Sequence, residues 1–459
     1  MSEIKYSWKW FALGVAVGVP AQVYMPLVKN YPLYLGTTVT LLAFAINFLA
    51  FRGSIRLLPR GPATFALFGY VLVWLFSSVF ASIFVNFGPS GRFQQLFGTV
   101  RFLRDISFVL IGATWLQGSR ARSSFVKGVF WATFVTNIFI LLFLIGHGLT
   151  WSTLGLIGRS DFRSLPREWL PSWPNVYANF LVVVALLYTA PWERGRKVWR
   201  IATLLIVLVV IGVSRSRSSW LGLLGGVLAY VVTSLWLNKR RITALLVTIV
   251  IMILGVILCP YVLDLVSNDV SMIGRVDRWI AAVEAISRSP ILGYGQASIA
   301  EVAPNFYWRI TGGYELSVSA HSDYVDIMLR SGLLGLLAFL VFVVSIPIQI
   351  IQSSWSQTRV WSATMVGVLA SMLVMGLVQQ PFRHEQLLAL VWMLSGSLIA
   401  GEEFVWVGDV SQRVSRFQES GTSSPAGITG RFLNWVLVKR RRGLRKAMRA
   451  LRLHNGPRC

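Results

Sequence analysis

The chain has 459 residues, 55% of them hydrophobic and only 13% charged, with a mean hydropathy of +0.63. A water-soluble chain carries about a quarter charged residues, so the solvent that suits this composition is lipid. The net charge of +25 sits in short clusters between apolar runs and in a basic tail, not along a binding stripe, which sets nucleic acid aside as a partner.

In chain order, apolar runs predict spanning segments near 8–28, 32–51, 63–87, 101–117, 125–147, 174–190, 198–214, 219–237, 242–266, 323–350, 360–380 and 385–406. Each is close to the length of about 20 residues that crosses a hydrocarbon core. Period-two alternation is absent, which argues against a barrel, and backbone groups in lipid must be satisfied within a segment, so all are read as helices. The expected fold is an all-α polytopic membrane protein with about 12 transmembrane helices.

Alternate loops differ in charge. One set carries Arg52, Arg56 and Arg60, then Arg120, Arg122 and Lys127, then Arg194, Arg196, Lys197 and Arg200, then Lys239, Arg240 and Arg241. The tail adds Lys439 to Arg442, Arg445, Lys446, Arg449 and Arg452. That excess marks the cytoplasmic side and puts both termini there. The chain divides into helices one to nine over 1–266, a large helical periplasmic loop over 267–322, helices ten to twelve over 323–406, and a basic tail over 407–459 that reads as an interfacial segment on membrane lipids. A loop of that length is more than a connection.

Three segments on the outer side carry candidate chemistry. Between the seventh and eighth spans, SRSRSSW (Ser214–Trp220) sets Arg215 and Arg217 where the charge bias disfavours them. They either snorkel to headgroups or line a polar cavity, where a guanidinium fork suits phosphate oxygens. In the large loop, Ile273, Val276, Trp279, Ile280, Val283 and Ile286 recur at helical spacing. Arg275 and Arg278 fall in the first turn of that helix, as a solvated face or as an anion grip. Pro290, Gly293 and Gly295 end it in a turn. The third segment, Ala320–Gly335, places His321 just ahead of the tenth span. A lone histidine is more often structural, yet beside arginines it is the natural base for a hydroxyl. Arg383 and His384, in QPFRHEQ, are either supporting groups or a polar cap. His147 and His454 read as structural, and Cys259 and Cys459 make no disulfide framework. The histidines stand too far apart for a ligand cluster, so neither metal nor cofactor is expected.

In this order the segments resemble the O-antigen ligase and polymerase superfamily of bacterial envelope glycosyltransferases. The motifs are Ser216-Arg217-Ser218-Ser219, Arg275 four residues before Trp279, Pro290-x-x-Gly293-x-Gly295, and His321-Ser322 followed after nine residues by Gly332. They cover roughly 200–340; a threonine usually found after that glycine in ligases is not at its expected place, since Leu333, Leu334 and Gly335 follow Gly332. The resemblance implies a GT-C-like membrane fold in the bacterial inner membrane with a periplasmic site. The donor would be an undecaprenyl pyrophosphate-linked polysaccharide and the acceptor lipid A–core, joined by an inverting transfer free of metal and nucleotide. It implies that Arg217 and Arg275 hold the diphosphate with Arg215 and Arg278 helping, that His321 deprotonates or orients the acceptor hydroxyl, and that Ser322, Trp279, Arg383 and His384 support them. A polymerase using the same donor, and a lipid or polysaccharide transporter, remain as alternatives.

The sidedness is testable by labelling single cysteines in whole cells with an impermeant reagent. A cysteine at Ser298 is expected to label and one at Lys239 to stay protected; the reverse pattern overturns the orientation.

Overall fold

A helix that is apolar on every side has no face for water and belongs inside. Glu385–Ala400 is such a helix, and all sixteen of its residues are buried. Among the described residues it packs most extensively against the helix Pro89–Trp115. The structure is a computed structural model that describes residues 2–19, 22–25, 31–50, 58–59, 61–85, 89–146, 174–190, 197–214, 216–267, 270–296, 320–352 and 358–400. The basic tail, Arg215, His147, the loop around 148–173 and residues 297–319 of the large loop lie outside the described residues.

Among the described residues there are thirteen α-helices. They are α1 (Ser2–Gly18), α2 (Leu35–Ala50), α3 (Pro62–Phe84), α4 (Pro89–Trp115), α5 (Gly118–Gly146), α6 (Pro174–Leu187) and α7 (Lys197–Ser214). Then follow α8 (Arg217–Leu237), α9 (Arg241–Ser267), α10 (Val270–Arg288), α11 (Asp323–Gln352), α12 (Thr358–Gly376) and the central α13 (Glu385–Ala400). A helix lies over each expected span, and α10 is the extra helix expected in the large loop. Four of them, α3, α5, α8 and α11, are long and apolar enough to cross a membrane; α2, α6, α7, α9, α12 and α13 hold shorter apolar stretches.

Three expectations need correction. The first span does not run to 28: α1 ends at Gly18, just ahead of Pro20, and Gln22–Met25 pairs antiparallel with Tyr31–Tyr34 as a short hairpin among the helices. A proline inside a run stops the helix however apolar the run is. The fourth span starts earlier than 101, because α4 begins at Pro89 and carries Arg101 and Arg104 in its interior. Likewise Arg120, Arg122 and Lys127 lie within α5 and not in a loop, and Arg122 is buried, donating to Ser397 Oγ at 3.4 Å.

Glycines let several helix pairs approach backbone to backbone, as packing in lipid favours. Gly14 and Gly18 of α1 lie on Phe125 and Val129 of α5, Gly112 of α4 on Met393, and Gly396 of α13 on Val109. Gly226 of α8 meets Gly367 of α12, and Gly222 meets Met375, so these two helices run antiparallel.

Helix α11 is broken at Gly332, where φ is 63° and ψ is −165°. The break frees the carbonyls of Leu329 and Arg330 and the N–H groups of Leu333 and Leu334. The turn after α10 takes up all four. Tyr294 N–H donates to Leu329 O at 2.8 Å and Gly295 N–H to Arg330 O at 2.7 Å. In return Leu333 N–H donates to Pro290 O at 2.8 Å and Leu334 N–H to Ile291 O at 3.4 Å. A side chain at 332 would run into the Ile291 carbonyl, and one at 293 would meet Arg330. The Pro-x-x-Gly-x-Gly turn and the glycine of the histidine motif are thus two halves of one joint.

The conformation at Gly332 is nearly glycine-only, costing about 1–3 kcal/mol for another residue. Gly332→Ala is therefore expected to lower the unfolding temperature of the detergent-solubilised protein. Gly69→Ala on α3, where nothing stands within 4 Å, should leave it unchanged or raise it. Equal behaviour of the two variants would remove the joint from the account.

Candidate active site

His321 stands on the short approach to α11 with φ at 54°. That left-handed conformation is uncommon for a residue with a side chain and stores about 1–3 kcal/mol of strain. Neighbours hold it from both directions. Upstream, the Trp279 indole N–H donates to Ala320 O at 2.8 Å, and Ala320 N–H donates to Asp326 Oδ1 at 3.0 Å. Downstream, the Ser322 hydroxyl donates to Gly376 O at 3.2 Å, and Asp323 N–H donates to Gln379 O at 3.2 Å.

Asp326 is the junction of this arrangement. Its Oδ2 pairs with the Arg383 guanidinium at 2.7 Å and accepts from the Gln380 amide. Arg275 Nη1 of α10 donates to Val378 O at 2.9 Å. Phe382 N–H donates to Asp323 Oδ2 at 3.0 Å, and Arg101 Nη2 of α4 donates to Arg383 O at 2.6 Å. Residues 376–384, leading from α12 through the 3₁₀ turn Pro381–Arg383 into α13, are therefore where α4, α10 and α11 converge. Just beyond, Arg104 pairs with Glu385 at 2.8 Å and with Asp105 at 2.7 Å. Along α11, Arg330 Nη1 donates to Gln296 Oε1 at 2.7 Å, whose N–H donates to Gln95 Oε1 at 2.6 Å.

The face of α10 that docks here is small. Ala281, Ala282, Ala285 and Ile286 are buried against Ala320 and Leu329, with Trp279 and Tyr294 at the margin. Close packing of alanines brings the Arg275 and Arg278 edge of the helix up to the histidine. The expected apolar positions Val276, Ile280 and Val283 point the other way and are exposed.

Electrostatics follow from this placement. Burial lowers the His321 pKa to about 4, helped by Arg278 and Arg275, opposed by Asp326 and further lowered by Arg383. His384 is pushed down to about 3 by burial first, then by Arg101, Arg383 and His321. Both imidazoles are neutral near pH 7, with a lone pair available as acceptor. The linkage has one sign: because the folded value of His321 lies below the ordinary 6.5, the unfolded chain binds the proton more tightly. This group withdraws stability as pH falls from 6.5 through about 4 and withdraws none above that window.

The structure thus brings His321, Arg275, Arg278, Arg383 and His384 into one cluster, with Trp279 and Ser322 bonded to the backbone around it. Arg217 is the first residue of α8 and is exposed. Following the antiparallel α8–α12 contact back from Gly222 and Met375 sets Arg217 level with the same end of α12. Ser216, Ser218 and Ser219 behind it are buried and bonded to one another, and Ser219 also bonds Asn179 Oδ1 at 2.8 Å. Arg215 lies outside the described residues. Sequence reasoning missed Asp326, Asp323, Gln380 and Arg330. A signal was present, since carboxylates and an arginine inside a predicted span are costly and mark polar sites.

Fold and site together define a multi-pass membrane protein with an arginine-rich polar cluster centred on a neutral histidine. The sequence model of a family described as O-antigen ligase matches residues 201–340, so over that stretch the chain is similar to that family. The match takes in Arg217, Arg275, Arg278, the Pro290–Gly295 turn, His321 and Gly332, and ends before Arg383 and His384. No curated protein matches the chain at a significant level.

Replacing Arg278 with Gln removes one of the charges that hold His321 down. The His321 titration midpoint, read by NMR of histidine-labelled protein, should move up from about 4 towards the ordinary value. An unmoved midpoint would show that Arg278 does not act on the imidazole.

Proposed function

We propose that the chain is an O-antigen ligase of the bacterial inner membrane, transferring polysaccharide from undecaprenyl pyrophosphate to lipid A–core at a periplasmic site. The observation that carries the reading is a neutral imidazole set among Arg275, Arg278 and Arg383 at the mouth of an apolar helix bundle. Such a site can take a proton from a hydroxyl while gathering negative charge beside it. Arg275 and Arg278, with Arg217 at the start of α8 and Arg215 two residues before it in the sequence, hold the diphosphate oxygens. The acceptor hydroxyl oxygen bonds to the anomeric carbon from the face opposite the leaving group. The carbon–oxygen bond to the diphosphate breaks, the diphosphate leaves with the electron pair, and the hydroxyl proton passes to His321. One displacement of this kind inverts the anomeric centre. The leaving group supplies the driving force, and no metal or nucleotide takes part.

A polymerase using the same donor is the second reading, favoured by Leu333, Leu334 and Gly335 after Gly332 in place of the threonine usual in ligases. A side chain at 335 would displace the Ser331 hydroxyl from its place over Ile327 O. Deletion of the gene separates the two: a ligase null leaves bare core with carrier-linked polymer accumulating, whereas a polymerase null leaves core bearing a single repeat unit.

In a purified assay with carrier-linked glycan and lipid A–core, His321→Ala should lower turnover by about 10²–10⁴-fold while donor binding survives. Arg275→Ala and Arg217→Ala should abolish transfer with insertion intact, and lysine should restore little, because a point charge lacks the bidentate fork. Bound diphosphate offsets the arginines, so the acid limb of kcat should lie above that of kcat/KM, and both limbs should vanish in His321→Ala. Wild-type turnover and an unchanged pH profile in that variant would make the histidine structural.

A further inference from the structure

Helix α10 is apolar on two opposite sides. Its inner side is the alanine face, with Ala281 and Ala282 at 0% and Ala285 at 1% exposure. On its outer side Val276, Ile280 and Val283 recur at i, i+4 and i+7, exposed by 40%, 49% and 59%. The charged pair Glu284 and Arg288, 2.8 Å apart, flanks this outer stripe. A helix outside the spans that turns β-branched side chains outward needs an apolar surrounding on that side.

The stripe does not stop at the helix. Ile291, 60% exposed, follows it in the turn, and its carbonyl accepts from Leu334 N–H on α11. From there Leu333, Leu334, Leu337, Val341, Val344 and Ile348 run outward down a helix long and apolar enough to cross a membrane. The surface that α11 offers to hydrocarbon therefore continues, across one backbone hydrogen bond, onto the outer stripe of α10. We propose that α10 is an interfacial helix, sunk by Val276, Ile280 and Val283 into the lipid leaflet on the side of the polar cluster. The geometry is that of a helix lying in the boundary between headgroups and acyl chains, with its charged flank at headgroup level. It also places Arg275 and Arg278 at the depth of lipid phosphates. The inference concerns the membrane contact alone and holds whatever reaction the site performs.

The test needs no transfer activity. With Cys259 and Cys459 replaced by serine, a single cysteine at Val283, Ile280 or Arg288 is labelled with an environment-sensitive fluorophore in the full chain. The protein is reconstituted in phosphatidylethanolamine–phosphatidylglycerol vesicles. Labels at Val283 and Ile280 should lose fluorescence to lipids spin-labelled near the headgroup and resist aqueous iodide, while the label at Arg288 should show the opposite preference. Iodide quenching of all three labels alike overturns the proposal. So does oxidative cross-linking of Val283→Cys into a dimer at high lipid-to-protein ratio, which would make the stripe a contact between copies of this chain.

Discussion

The arrangement of the site depends on the broken backbone at Gly332. A helix in a low-dielectric surrounding cannot leave peptide groups unpaired, because each orphan costs as much as a lost hydrogen bond or more. Here the break is tolerated because the turn Pro290–Gln296 supplies two donors and two acceptors in the positions vacated. The reciprocity has a mechanical consequence. Helix α10 and the start of α11 are separated by a long stretch of chain, yet the turn at the end of the helix that carries Arg275 is fixed to the first turns of the helix that follows His321. Main-chain pairing is stiffer than side-chain contact, so the arginines and the imidazole are referred to a common frame. The glycines are needed for the approach as much as for the dihedral angles, since a Cβ at 293, 295 or 332 meets a neighbour at less than van der Waals distance.

Burial then decides the charge states. Arginine keeps its proton in almost any surrounding, whereas imidazole gives its proton up when desolvated beside cations. Packing both types at one end of the bundle therefore yields fixed positive charge around a neutral acceptor. Asp326 does not reverse that result, because its carboxylate is already engaged by Arg383, Gln380 and the Ala320 N–H. Removing Asp326 would leave the partly exposed Arg383 without this counter-ion and release the turn that carries His321 in its left-handed conformation.

Much of this could be read in the amino-acid order. Apolar length located a helix over every expected span, and the order of short motifs located Arg275, Trp279, the glycine turn and His321. Hydropathy averages over windows, however, so it passed over the proline that ends α1 and the strands that follow. Periodicity finds a stripe but not the side that the stripe faces, and on α10 the alanines proved to be the packed face. The segment 376–384 was the least legible part. Its importance comes from partners such as Arg275 and Arg101, 103 and 282 residues away in the chain, and no local pattern announces such pairings. Asp326 and Arg330 were readable in principle, as charges within an apolar run, but the same run was long enough to pass as a simple span.

A base with a pKa near 4 is a weak one, and taken alone the empty site looks poorly tuned for proton abstraction near neutrality. Burial is the first cause of the low value, and the arginines come after it. Arg278 and Arg275 act by positive charge, and a diphosphate held between them would cancel most of their effect on the imidazole while burial persisted. Its own negative charge would then favour the imidazolium that forms during transfer. On the proposed reading, that anion as leaving group would raise the basicity of the histidine, with the effect of burial remaining. On that reading the arginines would bias when His321 acts as well as hold the phosphates, and they would do so through charge alone.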